Sequence, residues 1–86
     1  MKIQAIANID DNIIKCTGEI EIHWIKEPQA YITWRLSNND KLIASKSENY
    51  FYKKNSSADE LLNRILKKIE NYKIGRNKIF EKVKIL

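Results

Sequence analysis

His23 is the only histidine of the chain and Cys16 the only cysteine, so acid–base or nucleophilic chemistry has few places to reside. A nucleophile needs a base within hydrogen-bond reach, a third group to orient that base, and a pocket. Cys16 precedes His23 across a turn signal, and the chain has only two glycines, so no glycine-lined oxyanion site is evident. His23 belongs to Ile20-Glu21-Ile22-His23-Trp24, where period-two alternation predicts it on the solvated side of a strand, facing water or a partner. One cysteine makes no intrachain disulfide and no cysteine-rich zinc site. Cys16 is expected to be a small, half-buried strand residue, and a single free thiol fits a reducing cytoplasm.

The carboxylates lead to the same expectation. Glu19 and Glu21 would share one strand face about 7 Å apart. A hard cation such as Ca²⁺ takes roughly 6–8 oxygens, more than this chain clusters. An ion pair between Glu21 and Arg35 is the expected use instead. Asp10-Asp11 reads as a turn, because Asp bonds its own backbone and tolerates left-handed geometry. No catalytic residue, metal ligand or cofactor site is therefore expected, and the chain reads as a non-enzyme.

Two surfaces remain as candidates. On a predicted strand, Tyr31, Thr33 and Arg35 alternate onto one exposed side, a place for protein–protein contact. On a predicted helix, Arg64, Lys67 and Lys68 form a basic stripe, with Lys53 and Lys54 just before it. With tyrosines for stacking, that stripe is the nucleic-acid alternative. The charge of +5 is uneven: residues 1–43 sum to −1 and residues 44–86 to +6. Thirteen Lys, fifteen Ile and nine Asn, against three Arg, fit A/T-rich coding, which weakens charge as evidence about partners. No recognition-helix, zinc-finger or ribonucleoprotein strand motif is present, so protein contact is the preferred reading.

These surfaces need elements to hold them. Met1 to Ile9 alternates, Asp10-Asp11-Asn12 turns, and Ile13-Ile14-Lys15-Cys16 is a short strand ended by Thr17-Gly18. The next hairpin joins Ile20–Trp24 to Ala30–Leu36 through Glu27-Pro28-Gln29. Burying both Trp24 and Trp34 sets its predicted register: Trp24 opposite Ile32, Ile22 opposite Trp34, Glu21 opposite Arg35 and His23 opposite Thr33. Ser37-Asn38-Asn39-Asp40 is a turn, Lys41–Ser45 a strand, and Tyr50-Phe51-Tyr52 its ragged continuation. Ser57 with Glu60 predicts a capping box. From there Leu61, Leu62, Ile65, Leu66, Ile69 and Tyr72 repeat at helical spacing over residues 58–73, with Gly75 as C-terminal cap. Lys78 to Leu86 is a closing strand with Ile79, Val83 and Ile85 on one side.

The run Tyr31-Ile32-Thr33-Trp34-Arg35-Leu36, then Asn39-Asp40-Lys41-Leu42-Ile43-Ala44-Ser45, then Ser47-Glu48-Asn49-Tyr50, resembles the YegP-like domain. That family has an aromatic-x-aromatic-Arg-Leu strand, an Asn-Gly turn, an Ile-Ala strand and a Ser-Glu-Gly-Tyr corner before a Ser-started helix. The resemblance covers roughly residues 20–70. Here Asp40 and Asn49 stand where the family has glycine. It implies a β-β-β-α core in a small, dimeric or tandem protein, and assigns no activity.

The whole reading is one small α+β domain over residues 1–86: an antiparallel sheet of about 4–6 strands packed on one amphipathic helix, with a C-terminal strand. Without a signal-peptide core or a membrane-length apolar run, the expected location is the cytoplasm. The expected function is that of a basic binding module acting by self-association or on a partner protein, in the manner of a small phage or mobile-element inhibitor.

Overall fold

Strands that alternate polar and apolar residues need a second layer over one face, and in this chain a single helix supplies it. The computed structural model describes residues 1–86. In chain order the elements are β1 (Lys2–Ile9), β2 (Asn12–Trp24), β3 (Gln29–Asn38), β4 (Lys41–Phe51), α1 (Ala58–Glu70), β5 (Lys73–Ile74), β6 (Asn77–Lys78) and β7 (Phe80–Ile85). Five strands form one antiparallel sheet in the order β4-β3-β2-β1-β7, while β5 and β6 make a separate small hairpin. The architecture is α+β, with the C-terminal strand added beside β1.

The two-residue turns explain the first and third hairpins. Asp10 and Asp11 have φ of 51° and 65°, and Asn39 and Asp40 have 45° and 66°. Positive φ at both central residues is the turn whose twist matches paired strands. Asp and Asn are, after glycine, the residues that visit this left-handed region most readily.

Several expectations are corrected. Thr17-Gly18 does not end a strand: β2 runs from Asn12 to Trp24 through Gly18. A Cβ at Gly18 would overlap the Arg35 carbonyl oxygen, so this glycine permits close backbone approach of β2 and β3. The β2–β3 register is offset by two residues from the predicted one, with Ile20 opposite Trp34, Ile22 opposite Ile32 and Trp24 opposite Ala30. The facing parity is as predicted, so the same faces are inside, but Trp24 is carried to the end of the sheet. It is 55% exposed and packs edge-on against Tyr52, with ring centres 5.5 Å apart. β4 is continuous through Tyr50, with a bulge at Ile43, where two steps on β4 match one on β3.

The core joins Ile3, Ala5, Ala7, Cys16, Ile20, Ile32, Trp34 and Leu36 of the sheet to Leu61, Leu62, Ile65 and Ile69 of α1. No polar or charged residue is buried. Ser57 Oγ accepts the Glu60 N–H at 3.2 Å, which caps α1 as expected, although the Glu60 side chain makes no return bond. The helix ends at Glu70 with Asn71 as its cap, shorter than the predicted 58–73. Tyr72 leaves the helix to pack against Trp34 at 5.3 Å and Phe80 at 6.1 Å. Gly75, at φ 64°, serves the β5–β6 turn instead of a helix cap. In β7 the register slips opposite Ala5 and Lys82 takes φ 52°. Ile79 and Val83 are buried as predicted; because of the bulge Phe80, three residues before Val83, also reaches the core, while Ile85, opposite Ile3 at the sheet border, is left 39% exposed.

Candidate interaction surfaces

α1 covers one face of the sheet and leaves the other open. Tyr31, Thr33 and Arg35 alternate with the buried Ala30, Ile32 and Trp34, and so lie on the open face. Their neighbours form a grid: His23, Tyr31 and Asn49; Glu21, Thr33 and Ser47; Glu19, Arg35 and Ser45. Arg35 pairs with Glu19 at 3.5 Å, not with Glu21, as the register offset requires. His23 faces Tyr31 rather than Thr33, with rings 6.3 Å apart, and its Nε2 is 3.5 Å from Glu21. Thr33 Oγ1 and Ser47 Oγ share a hydrogen bond of 3.0 Å. Beyond Tyr31 the same end of the sheet exposes Ile25 and Phe51. The face is thus polar in its middle and apolar at one end.

Cys16 and His23 do not meet. They project from opposite faces of β2, Cys16 fully buried and His23 exposed. Burial raises the Cys16 pKa, which keeps the thiol protonated and poorly nucleophilic. No group of three His, Cys, Asp or Glu side chains gathers as a metal site.

The basic stripe divides. Arg64 Nη1 donates to the Phe51 carbonyl at 3.0 Å, and its guanidinium lies 5.7 Å from the Tyr50 ring centre. Lys68 Nζ lies 4.7 Å from the same ring centre and 3.7 Å from Glu48 Oε1. Both cations dock α1 onto β4. Lys53, Lys54 and Lys67 are exposed and form no ion pair. Tyr50 is buried and donates its hydroxyl to Glu48 at 2.9 Å. Burial first, then this bond and the Glu48 charge, push its pKa well above the ordinary phenol range, opposed by Arg64.

The free edge of β4 was not legible as a site before the strand order was known. Tyr52 N–H bonds Pro28 O at 2.9 Å, so even-numbered β4 residues point their backbone groups at β3. The odd-numbered ones, Ser45, Ser47, Asn49 and Phe51, point outward from the sheet. Of these, the Phe51 carbonyl is capped by Arg64. No helix is long and apolar enough to cross a membrane. Compared with family models, curated proteins and solved structures, the chain matches none.

Proposed function

We propose that the protein is a non-catalytic interaction module: it self-associates through the free edge of β4 and offers the adjoining open face, around Tyr31, Thr33 and Arg35, to a partner protein. The observation that carries this reading is the self-complementarity of the β4 edge. An unpaired strand edge adds another strand readily. Antiparallel pairing of two copies with Ser47 facing Ser47 sets Ser45 against Asn49 through the outward backbone groups. The same register puts Lys46 opposite Glu48 of the second copy, twice. Sliding one step either way sets Lys46 against Lys46 or Glu48 against Glu48, and like charges directly opposite are destabilising. The paired sheets continue into one broad open face carrying two copies of the Tyr31–Thr33–Arg35 row. Arg64 and Lys68 are engaged on β4, which leaves the nucleic-acid alternative with Lys53, Lys54 and Lys67.

Light scattering on purified protein tests the edge. Wild type is expected to have the mass of a dimer, and Lys46→Glu and Glu48→Lys, each folded by circular dichroism, are expected to be monomers. Mixing the two variants restores opposite charges at both positions and should restore the dimer. A monomeric wild type, or single variants that pair as well as wild type, would overturn the proposal.

A further inference from the structure

We propose a second, separate site: the depression on the open face where β1, β2 and β7 meet binds a small amphipathic anion, an acidic head on an apolar body. It has a volume of about 490 Å³, within the range of roughly 300–1,000 Å³ usual for small-molecule sites. Its apolar part includes Ile6 and Ile13, and Lys15, Lys82 and Lys84 also line it.

Three features select the ligand. Ile13 is 70% exposed, although it lies in a strand whose next residues turn their apolar side chains inward. None of the three lysines forms an ion pair. The lining contains three lysines and no carboxylate; Glu81, opposite Ile6 on the same face, is exposed, lies outside the lining and pairs with none of the lysines. Cations beside apolar surface fit a ligand that has a negative end and a hydrocarbon end. Lys82 adds a third argument. It holds φ 52° at the β7 bulge, and a non-glycine residue in that region has to be held there by its surroundings. Bulges re-aim side chains, and this one brings Lys82 to the same depression as Lys84, two residues on. The site shares no residue with β4 or with the Tyr31 row, so it stands or falls apart from the interaction surfaces.

Octanoate, with 1-octanol as its uncharged counterpart, tests the proposal by amide chemical-shift titration of the intact chain. Octanoate is expected to shift Ile6, Ile13, Lys15 and Lys84 saturably, and octanol to bind about tenfold more weakly, because hydrogen bonds to a charged head are the stronger ones. Lys82→Asn removes the ammonium while tolerating the left-handed backbone, and Lys15→Gln removes another from a regular strand position. Each should weaken octanoate several-fold while the rest of the spectrum is unchanged. Absence of saturable shifts, shifts centred elsewhere, equal binding of octanol, or wild-type affinity in both variants would overturn it.

Discussion

Lys68 lies over the Tyr50 ring, its Nζ 4.7 Å from the ring centre, while the hydroxyl of that tyrosine is held by Glu48 2.9 Å away. Lys68 also reaches Glu48, at 3.7 Å, so helix, ring and carboxylate form one closed set of contacts beside the sheet edge. A cation over an aromatic face gains from the ring quadrupole, and Arg64 joins from one turn earlier at 5.7 Å. A side of the helix that looks like a solvated stripe in sequence is thereby part of the packing.

Tyr50 gives this arrangement a pH dependence. Its folded pKa is raised, so the fold favours the protonated phenol. The stability it contributes is complete below the ordinary tyrosine pKa of about 10 and is lost as pH rises through the raised value. Denaturation midpoints of the wild type are expected to fall more steeply above pH ~10 than those of Tyr50→Phe. At neutral pH the variant, lacking the bond to Glu48, should be less stable by about 0.5–1.5 kcal/mol. Parallel alkaline limbs for the two proteins would remove Tyr50 as the cause.

The two tryptophans should behave differently. Trp34 is 1% exposed, between Tyr72 and Phe80, and Trp34→Ala is expected to cost about 3–5 kcal/mol. Trp24 is more than half exposed, and Trp24→Ala should cost much less. Chemical denaturation gives the ranking. Fluorescence checks it independently: emission remaining in Trp34→Phe should be red-shifted, and that in Trp24→Phe blue-shifted.

Gly18→Ala places a methyl group against the Arg35 carbonyl, which is backbone and cannot swing aside. Overpacking typically costs about 1–3 kcal/mol, and a backbone obstacle belongs at the upper end. Gly75→Ala meets no neighbouring atom and is strained only by its φ of 64°. Thermal melts should therefore show the larger loss at Gly18.

The free and the engaged cations can be separated by mutation. Changing Lys53, Lys54 and Lys67 to Gln should leave folding and self-association unchanged, whereas any oligonucleotide affinity of the wild type should fall steeply with salt and the variant should bind more weakly with a shallower salt slope. Tyr31→Ser combined with Arg35→Glu should abolish capture of a protein partner from host extract. Nuclease-sensitive complexes lost with the lysine changes and kept with the strand changes would favour nucleic acid over protein.

What sequence reveals here follows from the range of each interaction. Ser57 caps the helix because its side chain bonds three residues on, and Asp10-Asp11 turns the chain because Asp tolerates positive φ. Alternation likewise identifies which face of β3 is buried. The offset between β2 and β3 depends on how the Ile25–Pro28 loop closes, and two registers of equal parity bury the same residues, so the assignment placing both tryptophans inside was as consistent as the observed one. Tyr72 continues the helical spacing in sequence, yet it packs against Trp34 of β3 and Phe80 of β7, residues distant from it or beyond the helix in the chain. That Tyr31, Thr33 and Arg35 share the open face needed only parity, whereas the residues that flank them there needed the register. The β4 edge needed the strand order, and the lysine-lined depression needed the β7 bulge.

That bulge has a consequence for aggregation. The sheet has two borders, β4 and β7. A fibril requires both to be receptive, since each added molecule must present a fresh border to the next. β7 is only six residues long and is kinked at Lys82, which makes it a poor template. β4 is regular from Ala44 to Phe51. If two copies pair through β4, growth by strand addition is expected to stop at that first event, so that a chain with a long naked strand can be concentrated without seeding filaments.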